Sequence, residues 1–99
     1  MHAYLVVYDV STEDKEGEKR LRKVARICLD YGTRVQKSVF ECVLNEKQYK
    51  ILVDKLIKCI EPKEDSLRIY KLTLPIEKQV KVYGVQTAIL TEQDGPIIL

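Results

Sequence analysis

Ala3-Tyr4-Leu5-Val6-Val7-Tyr8-Asp9-Val10 is the stretch on which the fold turns. Leu5-Val6-Val7 is a continuous apolar run between two tyrosines. A run of β-branched and aromatic residues suits a strand covered on both faces, hence a central one. Ser11 and Thr12 follow as candidate helix caps, and Glu13, Asp14 and Glu16 supply the acidic first turn that complements a helix dipole. The helix predicted from there covers about Glu13 to Tyr31, with Leu21, Val24, Ala25 and Cys28 on one buried stripe. Gly32 is the expected C′ residue, free to end the helix in the left-handed conformation.

Further along, Thr33 to Leu44 is rich in β-branched and aromatic residues and reads as extended. It is either one bent strand or two short ones breaking near Lys37-Ser38. Asn45 opens a second helix, with Gln48 three residues on as in a capping box. Tyr49, Leu52, Val53, Leu56, Ile57 and Ile60 form its apolar stripe, and Pro62 stops it. The charged turn Lys63-Glu64-Asp65 leads into a strand from Leu67 to Leu74, ended by Pro75. Two short extended candidates follow, Lys81 to Val85 and Thr87 to Leu90, with a bend at Gly84, and then an apolar tail from Gly95 to Leu99.

The order is the split βαβ pattern: an α+β, ferredoxin-like βαββαβ sandwich with both helices on one face of the sheet. We expect one domain over residues 1–99, its core at about 3–74, with an extra C-terminal edge strand and a tail in 75–99. An open strand edge invites association, so a homodimer in which the tail strand joins the partner's sheet is expected.

The 99 residues are 45% hydrophobic and 32% charged, the composition of an ordinary globular chain. A net charge of +2 permits a nucleic-acid partner without arguing for one. No run of about twenty apolar residues exists to span a membrane, and the start Met1-His2-Ala3-Tyr4 lacks the basic region of an export signal. Cys28, Cys42 and Cys59 are widely spaced and read as reduced, packed side chains, so the expected compartment is the cytoplasm. With His2 the sole histidine and no C-x-x-C pair, a zinc site, a Ser-His-Asp triad and Cys-His catalysis all drop out. The isolated glycines exclude a phosphate-cradling loop.

Carboxylates and basic side chains remain. Asp9 ends the central strand, where a charged group must reach solvent, find a partner or bind a metal. It is either a structural cap for the helix behind it or a ligand. A two-fold axis beside it would bring a second Asp9 and make a credible divalent-metal site. On the first helix Lys15, Lys19, Arg22, Lys23 and Arg26 share one stripe opposite the apolar one, and Arg34 and Lys37 add charge of the same sign. The stripe is either a solvated face or a track for phosphates that grips backbone and weakens with salt.

Tyr8-Asp9-Val10, followed by Tyr31-Gly32-Thr33-Arg34-Val35-Gln36-Lys37-Ser38-Val39-Phe40-Glu41, resembles the small CRISPR-associated adaptation proteins of the Cas two family. The resemblance covers roughly Tyr4 to Leu74. It implies a ferredoxin-like dimer that binds double-stranded DNA with the CRISPR integrase for spacer acquisition. It also implies a Mg²⁺- or Mn²⁺-dependent endonuclease acting on single-stranded RNA or double-stranded DNA. By resemblance Asp9 is the metal-binding, catalytic aspartate, and Arg34, Phe40 and Ser38 belong near the site. The arginines that some members carry early in the first helix do not align cleanly; Arg20 and Arg22 are the nearby substitutes. Two alternatives stand beside the nuclease: a non-catalytic DNA-holding scaffold of the integrase complex, and a toxin-like endoribonuclease.

Overall fold

In the computed structural model, which describes residues 1–85, β1 (His2–Asp9) is hydrogen-bonded along both edges. It is the inner strand that the Leu5-Val6-Val7 run predicts. The chain continues through α1 (Lys15–Tyr31), β2 (Thr33–Gln36), β3 (Val39–Leu44), α2 (Glu46–Cys59) and β4 (Ser66–Leu72). The sheet order is β2-β3-β1-β4 with every pairing antiparallel. The helices pack against each other and against one face of that sheet, which is the ferredoxin-like arrangement expected.

Alternation along β1 decides what is buried. Tyr4, Val6, Tyr8 and Val10 point into a core shared with Val24 and Cys28 of α1, Leu52 and Leu56 of α2, and Phe40, Cys42 and Leu44 of β3. Val6, Val24, Phe40, Leu52 and Leu56 have no accessible surface. Each such side chain contributes roughly 1.5–3 kcal/mol of transfer free energy, so this layer holds the helices on the sheet. Burial also pushes the Cys28 thiol up to about 12 and the Cys42 thiol up to about 11. Both behave as the packed hydrophobes expected, and no cysteine is in a disulfide.

The stretch from Thr33 to Leu44 is two strands joined at Lys37-Ser38. Among the described residues no non-glycine has a positive φ, so the hairpin is not closed by a primed turn whose twist would match its strands. The register slips instead between Arg34 and Gln36, where Val35 is the extra residue of a bulge.

Both ends of α1 differ from expectation. Its cap is Asp14, whose Oδ1 accepts the Gly17 N–H at 2.8 Å, rather than Ser11 or Thr12. The backbone N–H of Ser11 is drawn elsewhere, to Asp65. Gly32 is not left-handed: its φ of −162° is extended. Glycine is needed there because a Cβ would run into the Glu41 carbonyl oxygen and Cys42 Sγ. At α2 the capping box forms as predicted, Gln48 N–H to Asn45 Oδ1 at 2.8 Å and Asn45 N–H to Gln48 Oε1 at 2.9 Å. Its buried stripe is narrower than expected, since Ile57 is exposed beside a groove that α2 forms with β4.

β4 ends at Leu72, ahead of the cis Leu74–Pro75 bond, and a 3-10 turn follows at Ile76–Lys78. Lys81 to Val85 does not form the strand expected of it. Residues 76–85 lie instead over β2 and β3, enclosing with Val35, Gln36 and Glu41 a cavity of about 580 Å³. Gly84 does make the bend, with φ of 82°. The candidate strand Thr87 to Leu90 and the tail from Gly95 to Leu99 lie outside the described residues.

Candidate functional site

Asp9 is exposed and pairs in register with Ser66, the first residue of β4. On β4, Leu67 and Ile69 pack against the core, so Ser66, Arg68 and Tyr70 face away from the helices. Asp9 shares that open face with Leu5 and Val7. Among the described residues no group of three or more His, Cys, Asp or Glu side chains could hold a metal ion. One chain therefore offers a single carboxylate at this strand end. A second Asp9 across a two-fold axis would suffice, because Mg²⁺ binds through one or two carboxylates and keeps several waters.

The other residues implied by resemblance gather on the opposite face. Arg34 pairs with Phe40 across β2 and β3, and its guanidinium sits 5.1 Å over the Phe40 ring. Tyr8 stacks on the same ring at 6.1 Å. The Tyr8 N–H donates to the Ser38 carbonyl at 3.1 Å and the Tyr8 hydroxyl to the Lys37 carbonyl at 3.4 Å. Burial raises the pKa of the Tyr8 hydroxyl, while hydrogen bonds with Arg34 and Ser38 pull it partly back. Phe40 is wholly buried and cannot touch a substrate. Its ring lies under the Arg34 guanidinium and supports it. Tyr8 was missed as part of this cluster. The period-two alternation carries the signal, since it puts Tyr8 on the face of Phe40 and Asp9 on the other.

The loop between β1 and α1 is tied from below. Asp65 Oδ2 accepts from Arg20 Nε and from the Glu61 N–H, each at 2.8 Å. Its Oδ1 accepts from the Ser11 N–H at 3.1 Å and from the second arm of the Arg20 fork at 3.3 Å. The Asp65 side chain is fully buried. Burial by itself would raise its pKa, but the Arg20 fork and the two backbone N–H groups outweigh it and hold the carboxyl below the ordinary range. Arg20 is thus committed to Asp65, whereas Arg22 is exposed.

Lys15, Lys19, Arg22, Lys23 and Arg26 all lie exposed along the outer side of α1, as their spacing predicts. Lys19 pairs with Glu16 at 3.7 Å; Lys15, Arg22 and Arg26 make no ion pair among the described residues. Arg34 and Lys37 are also exposed. The molecule therefore presents cations on its helical side and Asp9 on its open side. No helix of the described residues is long and apolar enough to cross a membrane.

A ferredoxin-like sheet with its helices on one face, a carboxylate ending the inner strand and exposed cations along the first helix define a small α+β protein. The chain belongs to the CRISPR associated protein Cas2 family, whose profile matches residues 1–80. It is 54% identical over 95 residues to the CRISPR-associated endoribonuclease Cas2 1 of Moorella thermoacetica, covering 96% of this chain and 97% of that one. Over 94 residues it is 43% identical to the CRISPR-associated endonuclease Cas2 of Halalkalibacterium halodurans, covering 95% and 96%. The crystal structure of Streptococcus pyogenes Cas2 superposes with a TM-score of 0.76 at 44% identity, covering 83% of this chain and 99% of that one.

Proposed function

We propose that this chain is a homodimeric, divalent-metal-dependent phosphodiester endonuclease that also binds double-stranded DNA with the CRISPR integrase in spacer acquisition. The observation that carries the reading is the exposed Asp9 at the end of the inner strand, on the sheet face that the helices leave open. Leu5, Val7, Val39, Tyr70 and Leu72 lie on that face, and covering them is a reason for two copies to meet there. Asp9 of each copy would then hold Mg²⁺ or Mn²⁺, which when bound polarises a phosphoryl oxygen and lowers the pKa of water. The chain's own part is to fix the carboxylate at the strand end and to present Arg34 and Lys37 beside the neighbouring turn. The relatives carry endoribonuclease and endonuclease names, so RNA and DNA are both candidate substrates.

A second reading, a DNA-holding scaffold without cleavage, is favoured by one observation. The cations of α1 lie on the opposite side of the molecule from Asp9, so gripping a duplex needs no carboxylate. The deciding experiment compares wild type with Asp9→Asn, with Mg²⁺ and with chelator, on single-stranded RNA and double-stranded DNA. Metal-dependent cleavage that disappears in the variant supports the enzyme. Equal traces in both proteins leave the scaffold.

A further inference from the structure

We propose that the Arg20–Asp65 pair is a positioning device for Asp9. The inference rests on the reading of Asp9 as a metal-binding carboxylate, and adds how a residue at an exposed strand end keeps a fixed place. A strand end followed by a loop frays unless the backbone beyond it is held. Asp9 is the last residue of β1, and Ser11 lies two residues further on. The Ser11 N–H donates to Asp65 Oδ1 at 3.1 Å, so the chain just past Asp9 is anchored to a buried carboxylate. Asp65 immediately precedes Ser66, the residue in register with Asp9, so the same side chain fixes both strands that meet there. The Glu61 N–H at 2.8 Å holds the turn that carries Asp65, and the Arg20 fork joins this assembly to α1.

A second contact presses the loop from the other side. The Ser11 carbonyl lies so close to the Cα of Gly17 that a Cβ there would overlap it. Ser11 is therefore held through its N–H by Asp65, while its carbonyl abuts the first turn of α1 at Gly17. Asp65 and Arg20 need touch neither substrate nor metal to act. They are positioning residues, comparable to the outer-shell groups that orient metal ligands and whose loss typically lowers metal affinity by about 10–100-fold.

The test uses Asp65→Asn and Arg20→Lys in the full chain. Each keeps the size of the side chain and breaks the charged fork. Amide hydrogen exchange is followed over residues 9–12 and over the core strand β3, and Mn²⁺ affinity is read by electron paramagnetic resonance. We expect exchange at residues 9–12 to rise at least about tenfold with β3 unchanged, and Mn²⁺ affinity to fall about tenfold. Exchange that stays at the wild-type rate over residues 9–12, or rises equally throughout, overturns the proposal; so does unchanged Mn²⁺ affinity. If Asp65→Asn fails to fold, Arg20→Lys is read alone by the same criteria. Failure of the underlying reading looks different: Asp9→Asn would bind Mn²⁺ and cleave like wild type.

Discussion

Tyr8 and Asp9 are neighbours in the chain whose side chains leave the sheet on opposite faces, Tyr8 into the core against Phe40 and Asp9 into solvent. One step of backbone thus separates a residue that holds the fold from one free to do chemistry. Their substitutions should part in the same way. Tyr8→Phe removes a half-buried hydroxyl with a long hydrogen bond and should cost about 1 kcal/mol of stability. Asp9→Asn should leave stability within about 0.5 kcal/mol while abolishing metal-dependent cleavage. Urea melts beside a nuclease assay check both; a large stability loss in Asp9→Asn would make it a structural cap.

Asp65 gives stability a dependence on acid. Its carboxyl is held below its ordinary value of 3.8, so the folded state binds that proton less readily than the unfolded chain. The contribution is complete above pH 4 or so and is lost as pH falls through the lower, folded value. Asp65→Ala strands the Ser11 and Glu61 N–H groups and Arg20, and should destabilise by about 2 kcal/mol at pH 7. That gap should shrink in melts taken at pH 3. A gap that stays constant between pH 7 and pH 3 would mean the ionised carboxylate is not what matters.

Gly32 separates two reasons for a glycine. If it served a left-handed cap, Asn would be a fair replacement. Because it is extended and pressed against Glu41 and Cys42, any Cβ is unwelcome. Gly32→Ala and Gly32→Asn should both destabilise, by about 2 kcal/mol, through overpacking. Asn tolerated where Ala is not, in thermal melts, would restore the cap explanation.

The α1 cations should be read through salt. Replacing Arg22 and Arg26 by Gln should weaken duplex DNA binding. It should also flatten the slope of log affinity against log salt by roughly 0.9 for each phosphate no longer neutralised, hence about two for the pair. Asp9→Asn should leave that slope alone. Fluorescence anisotropy over a salt series measures it, and an unchanged slope in the Arg22/Arg26 variant would reduce the stripe to a solvated face.

Features set by periodicity could be read from the chain alone. The apolar run of β1, the stripe of Leu21, Val24 and Cys28, and the Asn45–Gln48 box are local patterns that tertiary contacts reinforced. The cationic stripe was legible for the same reason. What escaped depended on contacts distant in sequence. Asp65 looks like one charge in a polar turn until Arg20, 45 residues away, closes on it. The steric need for Gly32 comes from β3, and the path of residues 76–85 over β2 and β3 follows no pattern in its own sequence. The place of Asp9 at the end of β1 could be read from the sequence, but its separation from Arg34 appears only once the strand register is known.

The helices of this protein cover one side of the sheet, and Asp9 ends its strand on the other, where residues 76–85 lie over β2 and β3. The α1 cations and Asp9 lie on opposite sides of the molecule, and what joins the two sides is the fork from Arg20 to Asp65, next to the residue in register with Asp9. On the proposed reading, variation around Asp9 can retune cleavage while the α1 cations keep their hold on DNA, so long as the Arg20–Asp65 link is kept.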